Sequence, residues 1–448
     1  MTDVNGAKEL SPGSAIAVIG SGAAGLTASY LLSQRHRVTL LESDDRLGGH
    51  AHTHQVDAPD GTRLAIDTGF IVHNDRTYPT LLTLFGHLGI ATSETDMSMS
   101  VRAQASGLEY AGALGAKGLF PTWRNLTRGR YLLMLAEIKR FHTLARRVLD
   151  DPDDDQSLDE FAKRHRLSGY FRENFLWPLV AAVWSCDAAT AKLYPARYLF
   201  TFLDHHGMLS VFQSPSWRTV TGGSATYVAA VADRLEARGG EIALSSPVTA
   251  VRPTESGVEV TAPRGTRRFD AVVIATHPHQ ALALLASPTP RQEAVLGSIR
   301  YASKPAVLHT DESLLPRAPR ARASWNYQIR ADGSEVAVTY DLTRLMRLPH
   351  ASGVAGPPRY LVTMGRTDLV DPAAVVASMT YEHPVYDQRS VAAQQRLPEI
   401  GTDTIAFAGA YHGWGFHEDA AASGECAARR FGGSWPDEDL RESKQVPE

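Results

Sequence analysis

The chain has 448 residues, 43% hydrophobic and 21% charged, and its 45 basic and 49 acidic residues give a net charge of −4. This composition is typical of a soluble globular protein and does not indicate a nucleic-acid-binding surface. The only two cysteines, Cys186 and Cys426, exclude a disulfide scaffold and a cysteine-rich zinc module and favour a reducing compartment. The sequence has no apolar run of about 18 residues, as a membrane span requires. The N-terminal segment also lacks the apolar core of a signal peptide, so we expect a cytoplasmic protein.

The first ordered segment is predicted to be a βαβ unit. An apolar run at 15–19 predicts a buried parallel strand, followed by a GxGxxG motif at 20–25 and a helix over 26–33. A second apolar run at 38–41 ends in Glu42. Glycines let a pyrophosphate approach the helix N-terminus, and a carboxylate after the second strand can accept hydrogen bonds from a ribose. The unit predicts a dinucleotide site without distinguishing NAD from FAD; a glycine-rich turn without a ligand is the alternative.

The pattern becomes helical after residue 76 and returns to short strands near 208. Helical apolar spacing occupies 131–149 and 172–184, and Ser157 with Glu160 forms a capping box. The later expected elements are strands at 241–244, 248–251, 258–261, 268–269, 271–276, 306–309, 336–340, 359–364 and 405–409, and a helix at 420–430. No second GxGxxG unit follows residue 200, which disfavours a built-in NAD(P)H domain.

The residues after Glu42 carry a resemblance to a known family. Arg46-Leu47-Gly48-Gly49 is similar to the Arg-x-Gly-Gly motif of the flavin-containing amine oxidase superfamily, which includes monoamine oxidases, protoporphyrinogen oxidase and phytoene desaturases. Segments 67–69, 220–223, 271–276 and 409–424 also resemble family motifs. The resemblance implies an oxidoreductase with noncovalent FAD. It also implies an α/β fold in which a Rossmann-like FAD-binding domain is joined to a discontinuous α+β substrate domain.

The resemblance also implies domain boundaries and cofactor contacts. We expect the FAD-binding domain at 12–75, 208–285 and 400–432, the substrate domain at 76–207 and 286–399, and tails at 1–11 and 433–448. The expected cofactor contacts are Gly20, Gly22, Ala23, Ala24, Gly25, Glu42, Ser43, Arg46, Gly48, Gly49, His50, Thr68, Gly69, Phe70, Val248, Thr276, Gly409, Phe416, His417, Glu418 and Ala420.

This sequence departs from the family pattern at two positions. His50 stands where the family usually has arginine, and a histidine is not a permanent cation. Ala410 stands where many members carry an acidic residue. Segments 48–50, 70–74 and 325–327 resemble a bacterial subgroup of predicted FAD-binding proteins that is associated with cyclopropane fatty acid synthases and unusual fatty acids. That narrower resemblance favours a lipid substrate.

Four residues are candidates for catalysis. Lys304 resembles the amine oxidase lysine that holds a water near the flavin, although a surface lysine is the alternative. Tyr411 and Trp414 could face the substrate or simply pack, and His417 could act as an acid or base. His50, His52 and His54 alternate along one face, but no carboxylate or cysteine completes a set of ligands, so we expect no metal.

Three classes of function fit these features. The first is an oxidase or desaturase acting on an apolar, fatty-acyl-like substrate; the second is an amine oxidase, with a redox-neutral isomerase giving the same signals; the third is a lipid-binding protein without flavin chemistry, which the intact Glu42 and Arg46 disfavour. The basic segment 128–147 could lie on a membrane or face solvent. We expect a small-molecule substrate and no nucleic acid, and the oligomeric state stays open.

The hypothesis of an apolar substrate predicts a long, mainly apolar cavity between the helical segment and the later sheet. We expect Asn326, Tyr327 and Thr339 to offer its polar groups and Glu418 to face the cofactor. Aromatic and aliphatic residues that could form its lining, or pack as core, are Phe171, Phe175, Leu176, Trp177, Leu179, Trp184, Phe200, Phe202, Met208 and Phe212.

Overall fold

The structure of the protein is a computed structural model that describes residues 10–151, 156–184, 186–209, 215–329, 337–349 and 358–436. Its strands are β1 (Ala15–Ile19), β2 (Arg37–Leu41), β3 (Thr53–Asp57), β4 (Arg63–Asp67), β5 (His73–Asn74), β6 (Thr92–Glu94), β7 (Met99–Ala103), β8 (Leu108–Ala111), β9 (Trp217–Val220), β10 (Glu241–Ala243), β11 (Ala250–Thr254), β12 (Gly257–Ala262), β13 (Gly265–Phe269), β14 (Ala271–Ile274), β15 (Arg300–His309), β16 (Trp325–Ile329), β17 (Ala337–Asp341), β18 (Leu361–Gly365), β19 (Val375–Val385) and β20 (Ile405–Phe407).

The helices are concentrated between residues 112 and 205 and around the first sheet. They are α1 (Ala23–Leu32), α2 (Pro79–Leu88), α3 (Gly115–Leu119), α4 (Gly129–Leu149), α5 (Leu158–Arg164), α6 (Gly169–Phe171), α7 (Trp177–Trp184), α8 (Ala188–Leu193), α9 (Ala196–His205), α10 (Ala225–Ala237), α11 (Pro278–Leu284), α12 (Pro290–Leu296), α13 (Leu342–Leu345), α14 (Gln388–Gln394) and α15 (His417–Arg430). A π-helical turn, Arg172–Leu176, joins α6 to α7.

A five-stranded parallel sheet carries the glycine motif. Its order is β10-β2-β1-β14-β20. The strands are almost continuously apolar because both faces are covered, one by α1, α2, α10 and α15 and the other by β11–β13, α11, α12 and α14. The carboxyl ends of parallel strands share one edge, so Gly20, Glu42, Thr276 and Gly409 follow their strands at the same edge.

A seven-stranded mixed sheet is built from segments 99–111 and 300–385. Its order is β19-β15-β18-β17-β16-β7-β8, and all its pairs are antiparallel except β16 with β7. Helices α4 to α9 pack against one another and against β7 and β8 in a separate apolar core. The fold is therefore the α/β arrangement that the sequence predicted, with a parallel-sheet core and a second, mixed α and β region.

Most predicted elements are present, and two predicted segments differ notably from the structure. The strand expected at 248–251 begins only at Ala250, so Val248 lies in the preceding loop. The expected C-terminal tail contains Trp435, whose ring stacks on His87 and contacts Tyr30, so residues 433–436 pack on the core. Phe212 lies outside the described residues. The capping box of Ser157 and Glu160 is confirmed.

Among the described residues, no helix combines the length and the apolar character that crossing a membrane would need.

Candidate cofactor site and active site

The glycine loop after β1 is shaped by close backbone contacts. Gly20 has φ +95°, and a Cβ atom there would lie 2.8 Å from the Ala275 carbonyl oxygen. A Cβ atom at Gly25 would lie 1.8 Å from the Gly20 carbonyl oxygen. Gly22, by contrast, is the N-cap of α1, has no side-chain cap, and would place a Cβ atom in open space. The N-terminus of α1, which includes Ala23 and Ala24, is therefore open to an anionic ligand.

Glu42 is tied to this loop. One oxygen of its carboxylate accepts hydrogen bonds from the backbone N–H of Ser21, at 2.8 Å, and from the Ser21 hydroxyl. The other accepts from the Ser43 hydroxyl and the Asp44 N–H. The carboxylate thus holds the end of β2 against the turn after β1, next to the open helix N-terminus.

The Arg-x-Gly-Gly segment closes over the same loop. Gly48 donates its N–H to the carbonyl and hydroxyl oxygens of Ser21, both at 3.1 Å. Arg46 folds back and donates to the Gly49 carbonyl at 2.9 Å. Both glycines have positive φ values, +109° and +56°, which L side chains rarely adopt. Ser21, which sequence reasoning did not single out, therefore joins the two motifs.

Asp67 joins two further motifs that are distant in sequence. Its carboxylate accepts hydrogen bonds from the backbone N–H and hydroxyl of Ser224 and from the hydroxyl of Thr53. Burial raises the pKa of Asp67 to about 6, although these hydrogen bonds oppose the rise. A Cβ atom at Gly223 would lie 2.7 Å from Thr53, and one at Gly69 would lie 2.2 Å from the His50 carbonyl. Segments 67–69 and 220–223 are therefore one packed unit.

His50 lies in a cluster of rings that the sequence did not predict. Its ring centroid lies 5.0 Å from Tyr381, 5.7 Å from His383 and 6.0 Å from His277. Burial, and then the neighbouring histidines, lower its pKa well below the usual value, so the imidazole is neutral. Its Nε2 is buried and has no hydrogen-bond partner among the described residues. A neutral ring cannot replace the cationic arginine of the family pattern.

The other histidines of this segment have separate surroundings. His52 and His54 stack on each other at 4.1 Å. His277 lies after β14 and shares a 2.7 Å contact with Glu382 on β19, and His279 lies 3.7 Å from the same carboxylate. His277 and His279 lie at the start of α11 and Glu382 lies on β19, so packing between distant segments brings these side chains together, and neighbouring positions in the sequence give no signal for it.

Two carboxylates at the start of α15 accept hydrogen bonds from helix N-termini. Both oxygens of Glu418 accept hydrogen bonds from the N-terminus of α2, from the N–H groups of Thr80 and Leu81 at 2.9 Å. Both of its oxygens are thus engaged with α2, and the expectation that its side chain faces the cofactor stays a prediction. Asp419 caps α15 by accepting from the Phe416 N–H at 2.8 Å.

His417 is also held by packing. Its ring stacks on Phe70 at 3.8 Å and 7°, and its Nε2 lies 3.1 Å from the Tyr227 hydroxyl. Burial lowers the pKa of His417 to about 3, which favours a neutral imidazole near neutral pH. These contacts position α15 against α10, and the acid–base role of His417 stays a prediction.

The closing loop splits its aromatic residues between two cores. Tyr411 is fully buried beside Gly409 and packs in the apolar core beneath the parallel sheet, and its substrate contact stays a prediction. Trp414 packs against Tyr198 and Phe202 in the helical core, and Phe416 stacks on Phe202 at 5.2 Å. The loop thus joins the two regions of the fold. Ser423 anchors it by accepting from the Gly409 N–H at 2.8 Å, next to the buried Ala420.

Lys304 lies where the two regions meet. It is half-buried on β15 and pairs in register with Tyr381, whose hydroxyl lies 2.7 Å from that of Thr68. Burial and then the nearby Lys304 lower the pKa of His383 to about 4. Burial raises the pKa of Asp187, but hydrogen bonds from Thr190 together with the Lys304 charge bring it below its usual range. Asp187 and His383 are neighbours of Lys304 that sequence reasoning missed.

Comparisons with known proteins agree with this site. The family described as flavin containing amine oxidoreductase matches residues 23–320, more than half of the chain. Cyclohexylamine oxidase from Brevibacterium oxydans IH-35A has a similar structure, with TM-score 0.65 and 17% identity over 93% of this chain and 98% of that chain. The CLA-producing fatty acid isomerase from P. acnes is similar with TM-score 0.63 and 15% identity over 93% and 98% of the two chains.

A curated relative matches over a shorter stretch. The L-amino-acid oxidase of Bungarus fasciatus is 37% identical over 83 residues, which is 18% of this chain and 16% of the oxidase. The aligned segment thus spans about a sixth of that enzyme. The family match covers most of the chain. In addition, the glycine loop, Glu42 and the Arg-x-Gly-Gly segment are joined by hydrogen bonds into one site. The chain therefore belongs to the flavin-containing amine oxidoreductase family and is an FAD-dependent oxidoreductase with a small-molecule substrate.

Proposed function

We propose that the protein carries out a two-electron oxidation of an apolar, fatty-acyl-like substrate. When bound, FAD accepts a hydride from a substrate C–H bond and passes two electrons to oxygen or a separate acceptor. The proposed roles of the two regions follow the predicted domains. Segments 12–75, 208–285 and 400–432 hold the cofactor, and segments 76–207 and 286–399 hold the substrate.

The residues at the carboxyl edge of the parallel sheet fit FAD. Gly22 opens on free space at an uncapped helix N-terminus, which suits a pyrophosphate. Glu42 would accept from the ribose, and the segment from Arg46 to Gly49 would lie along the chain that leads to the flavin ring. The unpartnered Nε2 of His50 is a buried polar atom that a bound cofactor can satisfy.

The proposal of an apolar substrate rests on the composition of one face of the seven-stranded sheet, the face nearest the carboxyl edge of the parallel sheet. Tyr327, Val338, Met364 and Tyr381 project on that face and pack with β4 and α7 in one apolar cluster. Trp184, Phe202, Tyr386 and Phe416 form the adjoining part of the helical core. An apolar chain could pass between these clusters, whereas a strongly charged substrate would find few partners there.

Two polar side chains of the same sheet support this proposal because they project from the opposite face of the sheet. Asn326 and Thr339 are opposite each other in register and alternate with Tyr327 and Val338, so they lie on the far face. Asn326 is bonded to Ser100, Ala323 and the Thr339 carbonyl, and the Thr339 hydroxyl is bonded to Thr363. Asn326 and Thr339 thus lie on the opposite face from Tyr327, and in this proposal Tyr327 alone of the three faces the substrate.

The charged groups near the proposed substrate position are few. Lys304 and Asp187 interact electrostatically, and His383 nearby is neutral. We assign to the Lys304 ammonium the donation of a proton to the acceptor that takes up the two electrons, and to Asp187 the role of holding that ammonium in place. A lysine–aspartate pair has no net charge, which disfavours selective binding of a cationic amine at this position.

Anaerobic flavin bleaching tests the proposal. The purified holoprotein is mixed, without oxygen, with an unsaturated acyl phospholipid in micelles, with cyclohexylamine, with putrescine and with an L-amino acid. Loss of flavin absorbance with the acyl compound alone is expected. Bleaching by an amine alone would refute the lipid substrate and identify an amine oxidase.

A redox-neutral isomerase is the second candidate, favoured by the structural likeness to a fatty acid isomerase. That likeness concerns the fold, because the identity is only 15%. The two reactions differ in a measurable way. An isomerase would convert a diene to its conjugated form, with rising ultraviolet absorbance, no oxygen consumption and no lasting loss of flavin absorbance.

A further inference from the structure

Three highly exposed large apolar side chains of the described chain lie close together before and within α4. Trp123 is 71% exposed, Leu126 58% and Leu133 67%. Trp123 and Leu126 belong to the short helical turn that leads into α4. Residues 123–133 form two helical segments joined by the extended Arg128, and eleven such residues span at most about 20–25 Å, so the three side chains lie in one region of the surface. Isolated exposed leucines are ordinary, but an exposed tryptophan with two leucines in so short a stretch is not.

The charge around these side chains has a single sign. Residues 110–136 contain Lys117, Arg124, Arg128 and Arg130 and no aspartate or glutamate. The two acidic residues that border this segment are engaged elsewhere. Glu109 accepts from the backbone of Arg317 and Ala318 and lies near Arg102, and the carboxylate of Glu137 accepts from the backbone and hydroxyl of Ser168.

The tertiary structure adds basic residues from a distant part of the chain. The helical turn at 319–321 packs against α3 and β8 and brings the exposed Arg317 and Arg320 beside the segment that carries Lys117. Within the described residues, neither arginine forms an ion pair. A cleft at the border of this surface contains Glu94 and Asp96, but these carboxylates are paired with Arg218 and Arg344. The surface is therefore apolar at its centre and cationic around it.

From this arrangement we infer that the surface formed by residues 113–133 with Arg317 and Arg320 docks the enzyme on an anionic lipid bilayer. Exposed tryptophan and leucine side chains enter the headgroup boundary, and arginine and lysine contact the acidic headgroups. The inference deepens the proposed function and rests on it for its purpose, since a bilayer is the source of long acyl chains.

A second copy of the chain is a poorer occupant. In a symmetric dimer the same surface faces itself, which would set Lys117, Arg124 and Arg130 against their own equivalents. Three apolar side chains also provide far less apolar area than a stable dimer interface of about 800 Å² per partner requires. Charge complementarity thus favours an anionic partner over a copy of this surface.

Flotation of the full-length holoprotein with vesicles tests the inference. We expect binding to vesicles of phosphatidylcholine mixed with phosphatidylglycerol, weaker binding to phosphatidylcholine alone, and loss of the difference at high salt. The double variant Arg124→Glu/Arg130→Glu is expected to bind anionic vesicles roughly 30-fold more weakly, at about fivefold per cation removed with a further loss from the new charges. Trp123→Ala/Leu126→Ala is expected to lose about tenfold on both kinds of vesicle.

Matched controls separate docking from general surface effects. Arg234→Glu/Arg264→Glu makes the same change in net charge at exposed positions of α10 and of a turn after β12. Leu193→Ala removes an equally exposed leucine, 60% exposed on α8. Both controls should float as the unmodified protein does, and all variants should keep their FAD content.

Three outcomes would overturn the inference. They are no flotation with anionic vesicles, equal flotation of the patch variants and their controls, and a dimer in solution that only the patch variants convert to monomer. None of these results bears on the chemistry, because bleaching by a micellar acyl substrate is measured without vesicles. Failure of docking and failure of the proposed function are therefore distinguishable.

Discussion

Replacing Glu42 by alanine is expected to weaken FAD binding without unfolding the protein. Its carboxylate accepts hydrogen bonds from the backbone and hydroxyl of Ser21 and from the Asp44 N–H. It stands at the edge where the turn after β1 meets the open N-terminus of α1. The substitution therefore removes the ribose acceptor and also a support of the glycine loop.

The size of the effect follows from these contacts. A hydrogen bond to a charged group contributes about 1.5–3 kcal/mol, and water partly replaces the lost acceptor on each ribose hydroxyl. Two such bonds give a loss of about 2–4 kcal/mol, or roughly a 30- to 1000-fold rise in the dissociation constant. The loosened Ser21 turn moves the expected value toward the upper end of this range.

Titration of the flavin-free protein with FAD, followed by flavin fluorescence, measures the constant. Asp45→Ala is the matched control, because it removes the same charge three positions away from an exposed side chain. This control should change the constant by less than about threefold, as surface substitutions usually do. Equal constants for Glu42→Ala and the unmodified protein, or equal effects of the two variants, would refute the placement of Glu42 at the ribose.

The remaining predictions concern the cofactor, the buried carboxylate and the candidate catalytic residues. Acid precipitation should release all the FAD into the supernatant, and flavin in the pellet would show a covalent link. Burial raises the pKa of Asp67 to about 6, so the protonated side chain stabilises the folded state below about pH 4, and this contribution is lost as the pH rises through 6. At 1.4 kcal/mol per pH unit, the contribution to the free energy of unfolding is up to about 3 kcal/mol. The unfolding temperature should therefore fall more steeply between pH 4 and pH 7 for the unmodified protein than for Asp67→Asn. Parallel curves of unfolding temperature against pH would contradict the raised pKa. Lys304→Met should slow turnover about 100-fold with normal FAD content, whereas His417→Gln should leave the pH profile of turnover unchanged; the reverse pattern would exchange their roles. Tyr411→Phe should change the free energy of unfolding by less than about 1 kcal/mol, because its buried hydroxyl has no partner among the described residues, and a larger loss would reveal a hidden contact.

The features that sequence analysis predicted correctly are those encoded by neighbouring residues. Continuous apolar runs identified β1, β2, β14 and β20, because a strand buried on both faces must be apolar at every position. The glycine loop was equally readable, since its spacing follows from backbone contacts within a few residues, such as that between Gly20 and Gly25. The family motifs extended this to FAD and to the two-region fold.

The direction and the partners of individual side chains were decided only by the tertiary structure. Glu418 was expected at the cofactor, but its carboxylate caps α2. The nearer of its two donors, Leu81, is 337 positions away from it in the chain. Asn326 and Thr339 are polar, yet the register of β16 with β17 turns them to the far face. The ring cluster around His50 likewise depends on the packing of β19 against the segment that follows Arg-x-Gly-Gly. Local patterns determine which segments form strands and helices, because those preferences arise over a few residues. Which carboxylate meets which helix, and which arginine lies beside which lysine, depends on contacts between segments hundreds of residues apart, and sequence spacing carries no record of them.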